Sequence, residues 1–432
     1  MKKIILGGVL LILLMLVLAA IAGWWYWMSR PQVITLKNGL KLTLVGESYG
    51  KHHVFKGVKG ATGRLRGHAT LDTTNDTLVV WIEAQHRPNE WPNYQLLVYD
   101  PANTGCVGAW QSTGNQINST VNLQGFALNA YPRRASKMIL RVVAWGPQGQ
   151  EAAKGQFIVS NPGPRSFPDW QPDPMPDTQS DGDLDVTLTK CTYGASQGFM
   201  FGNFHTAPGD PLRKSVTVAF HTEQNGNIVT NWQPIQITTS DATGNSIGNN
   251  GWSNGRNANG DATMTYQWGL WPNEKAWKLR VEMSRISGFN NDEVWAVSNV
   301  PIKKGDWNNL WNYNMGRNGQ NDSPVAETTL RGIHLKIYPA VQINQGFGMN
   351  QTMGGFHIVA SPDLPEGFRM SLVEATNEQG HKLQTFGFGP NGNGNGNYVF
   401  QLPDIGKAKS LNLTIAVHQS RFVEFTVKPT NE

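Results

Sequence analysis

Charge and cysteine are both scarce in this chain. Only 16% of its 432 residues are charged, against roughly 25% in ordinary soluble domains, and only two are cysteines. Turn formers and aromatic residues are abundant instead, with 47 glycines, 24 prolines and 16 tryptophans. This composition argues against a helical bundle and favours an extracytoplasmic β protein.

The positive net charge is concentrated at the N-terminus. Lys2, Lys3 and Arg30 carry three of the five net charges, so the remaining 402 residues hold about two. A chain so close to balance has no basic field that could hold a nucleic-acid backbone. We therefore expect no nucleic-acid partner.

An uncharged segment of 25 residues runs from Ile4 to Met28. As a helix it would extend about 37 Å, which is enough to cross a hydrocarbon core of about 30 Å. The aromatic residues from Trp24 to Trp27 end the segment, where an interfacial aromatic belt belongs. The pattern predicts an anchor helix over residues 1–30, with the lipid bilayer as its partner.

A cleavable signal peptide is the alternative, with Ala20-Ile21-Ala22 as its small-residue cleavage site. The apolar run is longer than the core of a signal peptide, which favours an uncleaved signal-anchor. Large domains cross the membrane largely regardless of flanking charge, and the composition of the remainder suits an envelope compartment. We expect a single-pass protein of the cell membrane whose C-terminal domains are extracytoplasmic, in the periplasm.

The body of the chain is a tandem repeat of about 140 residues. Each copy opens with similar strands, then has a hairpin that ends in an Asp/Asn-Gly turn, where glycine can supply a positive φ. The opening strands are LKLTLVGESYG (40–50), DVTLTKCTYG (185–194) and GIHLKIYPAV (332–341). A closing pair of strands ends each copy, at 140–162, 278–301 and 411–429, and we expect the two members to pair within their own copy.

Apolar residues alternate with polar ones in these segments. Trp277, Leu279 and Val281 share one face of a strand, and Lys278 and Arg280 share the other. Period two is typical of half-buried strands in an antiparallel sheet. About seven such strands in each copy predict an immunoglobulin-like β-sandwich, and a small barrel is the alternative.

The predicted fold class is therefore all-β, with an N-terminal transmembrane helix followed by three tandem immunoglobulin-like β-sandwich domains. The expected boundaries are the anchor at 1–30, sandwiches at 33–162, 183–305 and 328–430, a Pro-rich linker at 163–182 and an Asn-rich linker at 306–327. Leu140, Leu279 and Leu413 should occupy one equivalent buried position.

This layout resembles uncharacterised bacterial single-pass membrane proteins with tandem β-sandwich repeats. The resemblance depends on the anchor, the repeated strand ending in Tyr49-Gly50 and Tyr193-Gly194, and the closing strand pair. It covers most of the chain but implies no known activity, so no catalytic residue follows from it.

Patterns typical of catalysis or of metal binding are weak in this sequence. Residues 194–198 fit G-x-S-x-G, but the sequence after them is not helical, as a nucleophile elbow requires. Asp181, Asp183 and Asp185 suggest a calcium loop, yet Val186 stands where such a loop has glycine. We expect no catalytic residue, no metal site and no cofactor.

The two cysteines lie in different copies. Cys191 falls opposite the face that carries Val186 and Leu188. We expect it to be a free or weakly exposed thiol, with a disulfide to Cys106 only if two domains pack closely.

Tryptophan provides the remaining functional signal. Trp252, Trp307 and Trp311 lie in Asn/Gly-rich segments and match no core position of the other copies. Flat aromatic side chains in polar loops can stack on sugar rings or anchor a partner protein, or they can fill a gap between domains. These three are the candidate binding residues.

The leading functional hypothesis is a non-enzymatic, membrane-anchored extracytoplasmic protein that binds a cell-envelope glycan or protein or acts as a structural stalk. A membrane-anchored carbohydrate-active enzyme is the alternative, because 31 acidic residues are available and no motif singles out a pair. A deep cleft with convergent acids would favour the enzyme.

Overall fold

The computed structural model describes residues 32–59, 65–66, 68–87, 94–109, 111–145, 151–195, 200–201, 204–205, 214–249, 252–256, 259–267, 269–305, 323–343, 353–384, 391–392 and 396–431. Within these ranges the regular elements are β-strands and one short 3-10 helix, Asn291–Glu293. The all-β prediction is confirmed. No helix in these ranges is long and apolar enough to cross a membrane, and the predicted anchor at 1–30 lies outside them.

The chain forms two compact units, Met1–Phe167 and Pro168–Glu432. The first unit contains the strands β1 (Val33–Thr35), β2 (Lys41–Phe55), β3 (Val58–Lys59), β4 (Leu65–Arg66), β5 (Ala69–Gln85), β6 (Tyr94–Tyr99), β7 (Gly105–Ala109), β8 (Gln111–Asn118), β9 (Val121–Leu128), β10 (Lys137–Trp145) and β11 (Glu151–Ser160). Its two main sheets have the orders β1-β2-β5-β9-β8 and β11-β10-β6-β7.

The second unit contains the strands β12 (Asp177–Asp181), β13 (Leu184–Ala195), β14 (Met200–Phe201), β15 (Phe204–His205), β16 (Lys214–Gln224), β17 (Asn227–Ile228), β18 (Trp232–Asp241), β19 (Ser246–Asn249), β20 (Trp252–Arg256), β21 (Asp261–Gln267), β22 (Trp277–Arg285), β23 (Val294–Gly305), β24 (Ala326–Leu330), β25 (Ile333–Ile337), β26 (Ala340–Ile343), β27 (Met353–Ser361), β28 (Phe368–Asn377), β29 (Asn391–Gly392), β30 (Asn397–Leu402), β31 (Ser410–Gln419), β32 (Arg421–Val427) and β33 (Thr430–Asn431). Two of its main sheets have the orders β12-β13-β16-β21-β20 and β19-β18-β22-β32. A third has the order β24-β25-β27-β26-β23-β31-β28.

The same strand order occurs in each of the three copies. The series β1-β2-β5-β9 of the first copy corresponds to β12-β13-β16-β21 in the second and to β24-β25-β27-β30 in the third. In the opposing sheet, the neighbours β6 and β10 correspond to β18 and β22 and then to β28 and β31. Two such sheets enclose a core, as in a sandwich: Phe220 of β16 and Phe425 of β32 have ring centroids 6.0 Å apart.

One tight turn recurs with its hydrogen bonds after β6, β18 and β28. The side-chain oxygen of its first residue accepts the N–H of the residue four positions later, at 2.7 to 3.2 Å. The residue three positions after the first has a positive φ, which is 66°, 87° and 81° in the three copies in turn. The first residues and their positive-φ partners are Asp100 with Asn103, Asp241 with Gly244 and Asn377 with Gly380. In the first copy an asparagine therefore takes the conformation that the sequence assigned to glycine, which a short polar side chain tolerates.

The closing strands of the second and third copies are exchanged. β11 pairs with β10 of its own copy, with Phe157 opposite Leu140. By contrast, β22 of the second copy pairs with β32, so that Phe425 lies opposite Leu279, and β31 of the third copy pairs with β23. The prediction that each closing pair forms within its own copy is correct for the first copy and wrong for the other two.

Connection length explains the exchange. Residues 146–150 join β10 to β11, whereas Ser420 alone joins β31 to β32. The shortest common hairpin loop has two residues, so β32 cannot turn back beside β31 and continues along the edge of β22 instead. Because β32 occupies the edge of β22, β23 cannot pair there and lies beside β31 instead.

The repeated core position is confirmed. Leu140, Leu279 and Leu413 each lie on the strand that precedes the closing strand in sequence, and their exposed fractions are 0%, 0% and 2%. Because the three strands bury the same alternate residues, they form their sheets in the same way even though their closing partners differ. The hairpin predicted before this strand in each copy is wrong, because its two strands do not pair: β5 and β6 lie in different sheets, as do β16 and β18, and β27 is not a neighbour of β28.

Part of the Pro-rich linker is structured. Residues 177–181, assigned to the linker at 163–182, form β12 and pair with β13. Ahead of them, the N–H of Asp173 donates to the carbonyl oxygen of Thr426 at 2.8 Å. This part of the segment therefore packs on the second unit. Of the Asn-rich linker, residues 306–322 lie outside the described ranges.

Cys191 is free and buried, so the expected free thiol is confirmed but its expected face is wrong. A β-bulge between Leu188 and Lys190 shifts the alternation by one residue, and Cys191 joins Leu188 in the core. Burial raises the pKa of its thiol to about 12, which suppresses its reactivity. Cys106 lies in β7, and its side chain is outside the described part of the structure.

Candidate functional site

A cavity of about 370 Å³ lies in the second unit, between the outward face of the sheet β19-β18-β22-β32 and the loop that joins β27 to β28. This volume is within the range of small-ligand sites, roughly 300–1,000 Å³. The cavity depends on the strand exchange, because β32 of the third copy contributes to its floor.

The floor is made by side chains that alternate outward from three neighbouring strands. Arg280 and Glu282 project from β22, on the face opposite Leu279 and Val281. The strand register sets Glu282 between Gln236 of β18 and Phe422 of β32. Charged, amide and aromatic groups therefore lie side by side on this floor.

The roof is the loop from Asp363 to Phe368. Its Phe368 N–H donates to the carbonyl oxygen of Pro365 at 3.0 Å, and Gly367 has a φ of +81°. The carbonyl oxygen of Gly367 accepts the N–H of Ser420 at 2.7 Å, which ties the loop to the point where β31 crosses to β32. A side chain at position 367 would be strained in this conformation.

An ion pair joins the roof to the floor. Arg369 donates from Nε and Nη2 to the two carboxylate oxygens of Glu282 at 2.6 and 2.5 Å, and from Nη2 to the amide oxygen of Gln236 at 2.8 Å. The Ser420 hydroxyl donates a further bond to Glu282 at 2.7 Å. The hydrogen bond to Glu282 is the main cause that raises the pKa of the Arg369 guanidinium above its usual value. Glu282 is therefore a structural anion whose oxygens are already occupied.

Asp363 and Tyr398 form a second fixed group at the rim. The Tyr398 hydroxyl donates to Oδ1 of Asp363, and the N–H of Leu364 donates to the same oxygen at 2.8 Å. Burial and the neighbouring carboxylate raise the pKa of Tyr398, so its hydroxyl stays protonated and acts as a donor. Asp363 itself is exposed and can accept further hydrogen bonds from a ligand.

Arg280 is the least constrained charged group of the floor. Its guanidinium lies 4.5 Å from the centre of the Phe422 ring, and its side chain is 51% exposed. The ion-pair partner that the structure describes is Glu366, 3.7 Å away and 89% exposed. Such a surface pair contributes only about 0–1 kcal/mol, so Arg280 can take a ligand as its partner.

Two buried polar clusters lie beside the cavity, near Ser420, where β31 crosses to β32. Glu293, at the end of the β22–β23 connection, accepts hydrogen bonds from Arg285 at 2.5 Å and Arg331 at 2.8 Å. His418 of β31 lies 3.0 Å from the Ser371 hydroxyl and 3.5 Å from that of Ser284. These contacts join the end of β31 to β22 and β28, the strands that carry Arg280, Glu282 and Arg369.

The structure does not test the three tryptophan candidates as a binding surface. Trp252 begins β20 and pairs with Thr265, so it belongs to a strand and not to a loop; its side chain is outside the described part of the structure. Trp307 and Trp311 lie outside the described residues. The cavity residues were missed, although the alternation that places Arg280 and Glu282 on the outward face of β22 was visible in the sequence.

The aspartates that suggested calcium serve another purpose. Asp181 and Asp183 lie 3.5 and 3.6 Å from the Arg421 guanidinium, and the other oxygen of Asp181 accepts the N–H of Phe422 at 2.8 Å. They hold the start of the exchanged strand. Within the described ranges, no group of three His, Cys, Asp or Glu residues could hold a metal ion. The centre of the G-x-S-x-G match, residues 196–198, is outside those ranges.

No protein-family model matches the chain, and no curated protein is significantly similar to it.

Proposed function

We propose that this protein is a membrane-anchored binding protein of the cell envelope and that the cavity in its second unit is the binding site. In this proposal residues 1–30 anchor the chain, and three immunoglobulin-like sandwiches, 33–162, 183–305 and 328–430, extend into the periplasm. The ligand is a glycan of the envelope. The observation that carries the proposal is the cavity itself, which has aromatic rings and fixed polar groups on facing walls.

Sugar recognition suits these groups. A sugar ring has an apolar face that packs on an aromatic side chain, and hydroxyls that need donors and acceptors around its edge. The rings of Phe422 and Phe368 offer the first, while Asp363, Thr238 and Arg280 offer the second. Because Glu282 and Tyr398 are held by their own partners, the polar edge is organised before a ligand arrives.

The alternative, a carbohydrate-active enzyme, draws support from the three carboxylates of the lining, Glu282, Asp363 and Glu366. A glycosidase needs one carboxyl that can donate a proton and a second that stays ionised. Glu282 suits neither role well, because both of its oxygens already accept hydrogen bonds from Arg369 and one of them also accepts the Ser420 hydroxyl. Binding without turnover is therefore the better supported function.

Equilibrium binding of the purified full chain to a panel of envelope oligosaccharides tests the proposal. We expect saturable binding that Phe422→Ala and Asp363→Asn each weaken at least tenfold, while Lys382→Gln, on an 81% exposed side chain outside the cavity lining, leaves it unchanged. Shortened sugar products after long incubation would favour the enzyme. Binding that survives both cavity variants would place the site elsewhere.

A further inference from the structure

We propose that the cavity selects an acidic sugar and that Arg280 is the residue that recognises its carboxylate. This inference rests on the proposed glycan-binding function and makes it more specific. In the cavity Glu282 is already paired with Arg369, whereas Arg280 can accept the carboxylate of a ligand.

Two of the three carboxylates already have partners. Glu282 receives two bonds from Arg369 and one from Ser420, at 2.5 to 2.7 Å. Asp363 receives the Tyr398 hydroxyl and a backbone N–H. Glu366 is 89% exposed on the loop and can turn into solvent without any change in the backbone. The charge of Glu282 is therefore compensated by Arg369, Asp363 is held at the rim by neutral donors, and Glu366 can move away from Arg280.

The cation Arg280 is held in place but not saturated. The Phe422 ring, 4.5 Å from the guanidinium carbon, supports one face of its planar fork. Its distance of 3.7 Å from Glu366 is longer than a charge-assisted hydrogen bond, which is about 2.7–2.9 Å. A ligand carboxylate can therefore form the bidentate pair that Glu366 does not form.

The neighbouring groups distinguish an acidic sugar from a simple anion. Asp363, at the rim, would repel a small anion that bound without hydroxyls, but it can accept hydrogen bonds from the hydroxyls of a sugar. Phe422 offers apolar surface beside Arg280. A ring that carries both hydroxyls and one carboxylate uses all three groups together.

A matched pair of ligands tests the inference on the full chain. Trigalacturonic acid carries a carboxylate on each ring, and its carboxyl-reduced counterpart has the same linkages with neutral rings. We expect the acid to bind at least tenfold more tightly by calorimetry at low salt, since a hydrogen-bonded charge pair contributes that much. Arg280→Gln should abolish this preference and Arg280→Lys should keep part of it.

Each outcome distinguishes the two proposals. Equal binding of both sugars, with no effect of Arg280→Gln, would overturn the acidic-sugar inference and leave glycan binding standing. Binding of neither sugar would overturn the inference, and the neutral members of the wider panel would then decide the proposed function. Thermal unfolding of each variant is the control, and because Arg280 is half exposed we expect unchanged melting temperatures.

Discussion

The first copy closes on itself, whereas the second and third copies close on each other. Copy one joins its last two strands through residues 146–150, GPQGQ, and β11 lies beside β10. Copy three joins its last two strands through Ser420 alone, and β32 lies beside β22 of copy two. The inward-facing residues are alike, as Leu140 and Leu279 show. Connection length, and not the strand sequence, therefore decides which copy a closing strand completes.

The exchange also decides where a site can form. In the second unit it brings the outward face of β22 beneath the β27–β28 loop, and the cavity lies between them. Ser284 and His418 occupy matching positions on β22 and β31. They contact each other near the point where β31 crosses to β32. Such a contact between equivalent positions is the mark of an approximate two-fold arrangement.

Removal of the exchanged strand should have the largest effect. Deleting residues 420–432 should unfold the second copy and not only the third, because Phe425 and its neighbours complete the sheet around Leu279. Hydrogen exchange measured by mass spectrometry should show loss of protection in residues 277–285. Loss confined to residues 410–419 would mean that β32 closes its own copy after all.

Shortening the first connection should turn the first copy into an exchanging one. Without residues 146–150, β11 would have no loop with which to return beside β10. We expect it to pair with a second molecule, giving a dimer whose fraction rises with concentration in light-scattering measurements. Five Gly/Ser residues in the same place should keep the protein monomeric. A shortened chain that stays monomeric, with β10 still protected, would contradict the length argument.

Two matched phenylalanines show where each closing strand acts. Phe157→Ala and Phe425→Ala each remove a fully buried ring and should lower the free energy of unfolding by about 3–5 kcal/mol. The first should loosen β10 in its own copy. The second should loosen β22 and β16, since Phe425 packs on Phe220. Residue-resolved hydrogen exchange separates the two, and a loosened β31 with an intact β22 would refute the exchange.

The sequence predicted the strands but not their partners. Period-two alternation identified the buried faces, and the repeat placed Leu140, Leu279 and Leu413 at one position. The exchange had a readable signal, because residues 414–427 contain no Gly, Pro, Asn or Asp at which a hairpin could turn. For the cavity, the alternation of β22 indicated the outward face that carries Arg280 and Glu282, but nothing indicated the β27–β28 loop that covers this face, because that loop belongs to another copy. The face of Cys191 was missed because a bulge shifts the alternation.

Acid should weaken the exchanged pair more than the first copy, through His418. This residue is fully buried, and burial, with the nearby Arg285 and Arg369, lowers its pKa to about 4, against a weaker opposing effect of Glu293. The unfolded chain takes up a proton near pH 6.5, before the folded chain does. The folded state therefore loses stability as the pH falls from about 6.5 towards 4, by about 3 kcal/mol in all. The first copy has Trp145 at the matching position, and its buried His53 has a pKa that burial also lowers, but less far than that of His418.

His418→Gln removes the titrating group and keeps a side chain that can bond to Ser371. We expect its melting temperature to depend less on pH between 4 and 7 than that of the wild type, whereas His381→Gln, at an exposed position, should leave the dependence unchanged. Protection of β22 and β31 should fall together as the pH is lowered, because both strands end at this contact. A wild-type curve that matches the His418→Gln curve across this range would show that the histidine is not the group that titrates.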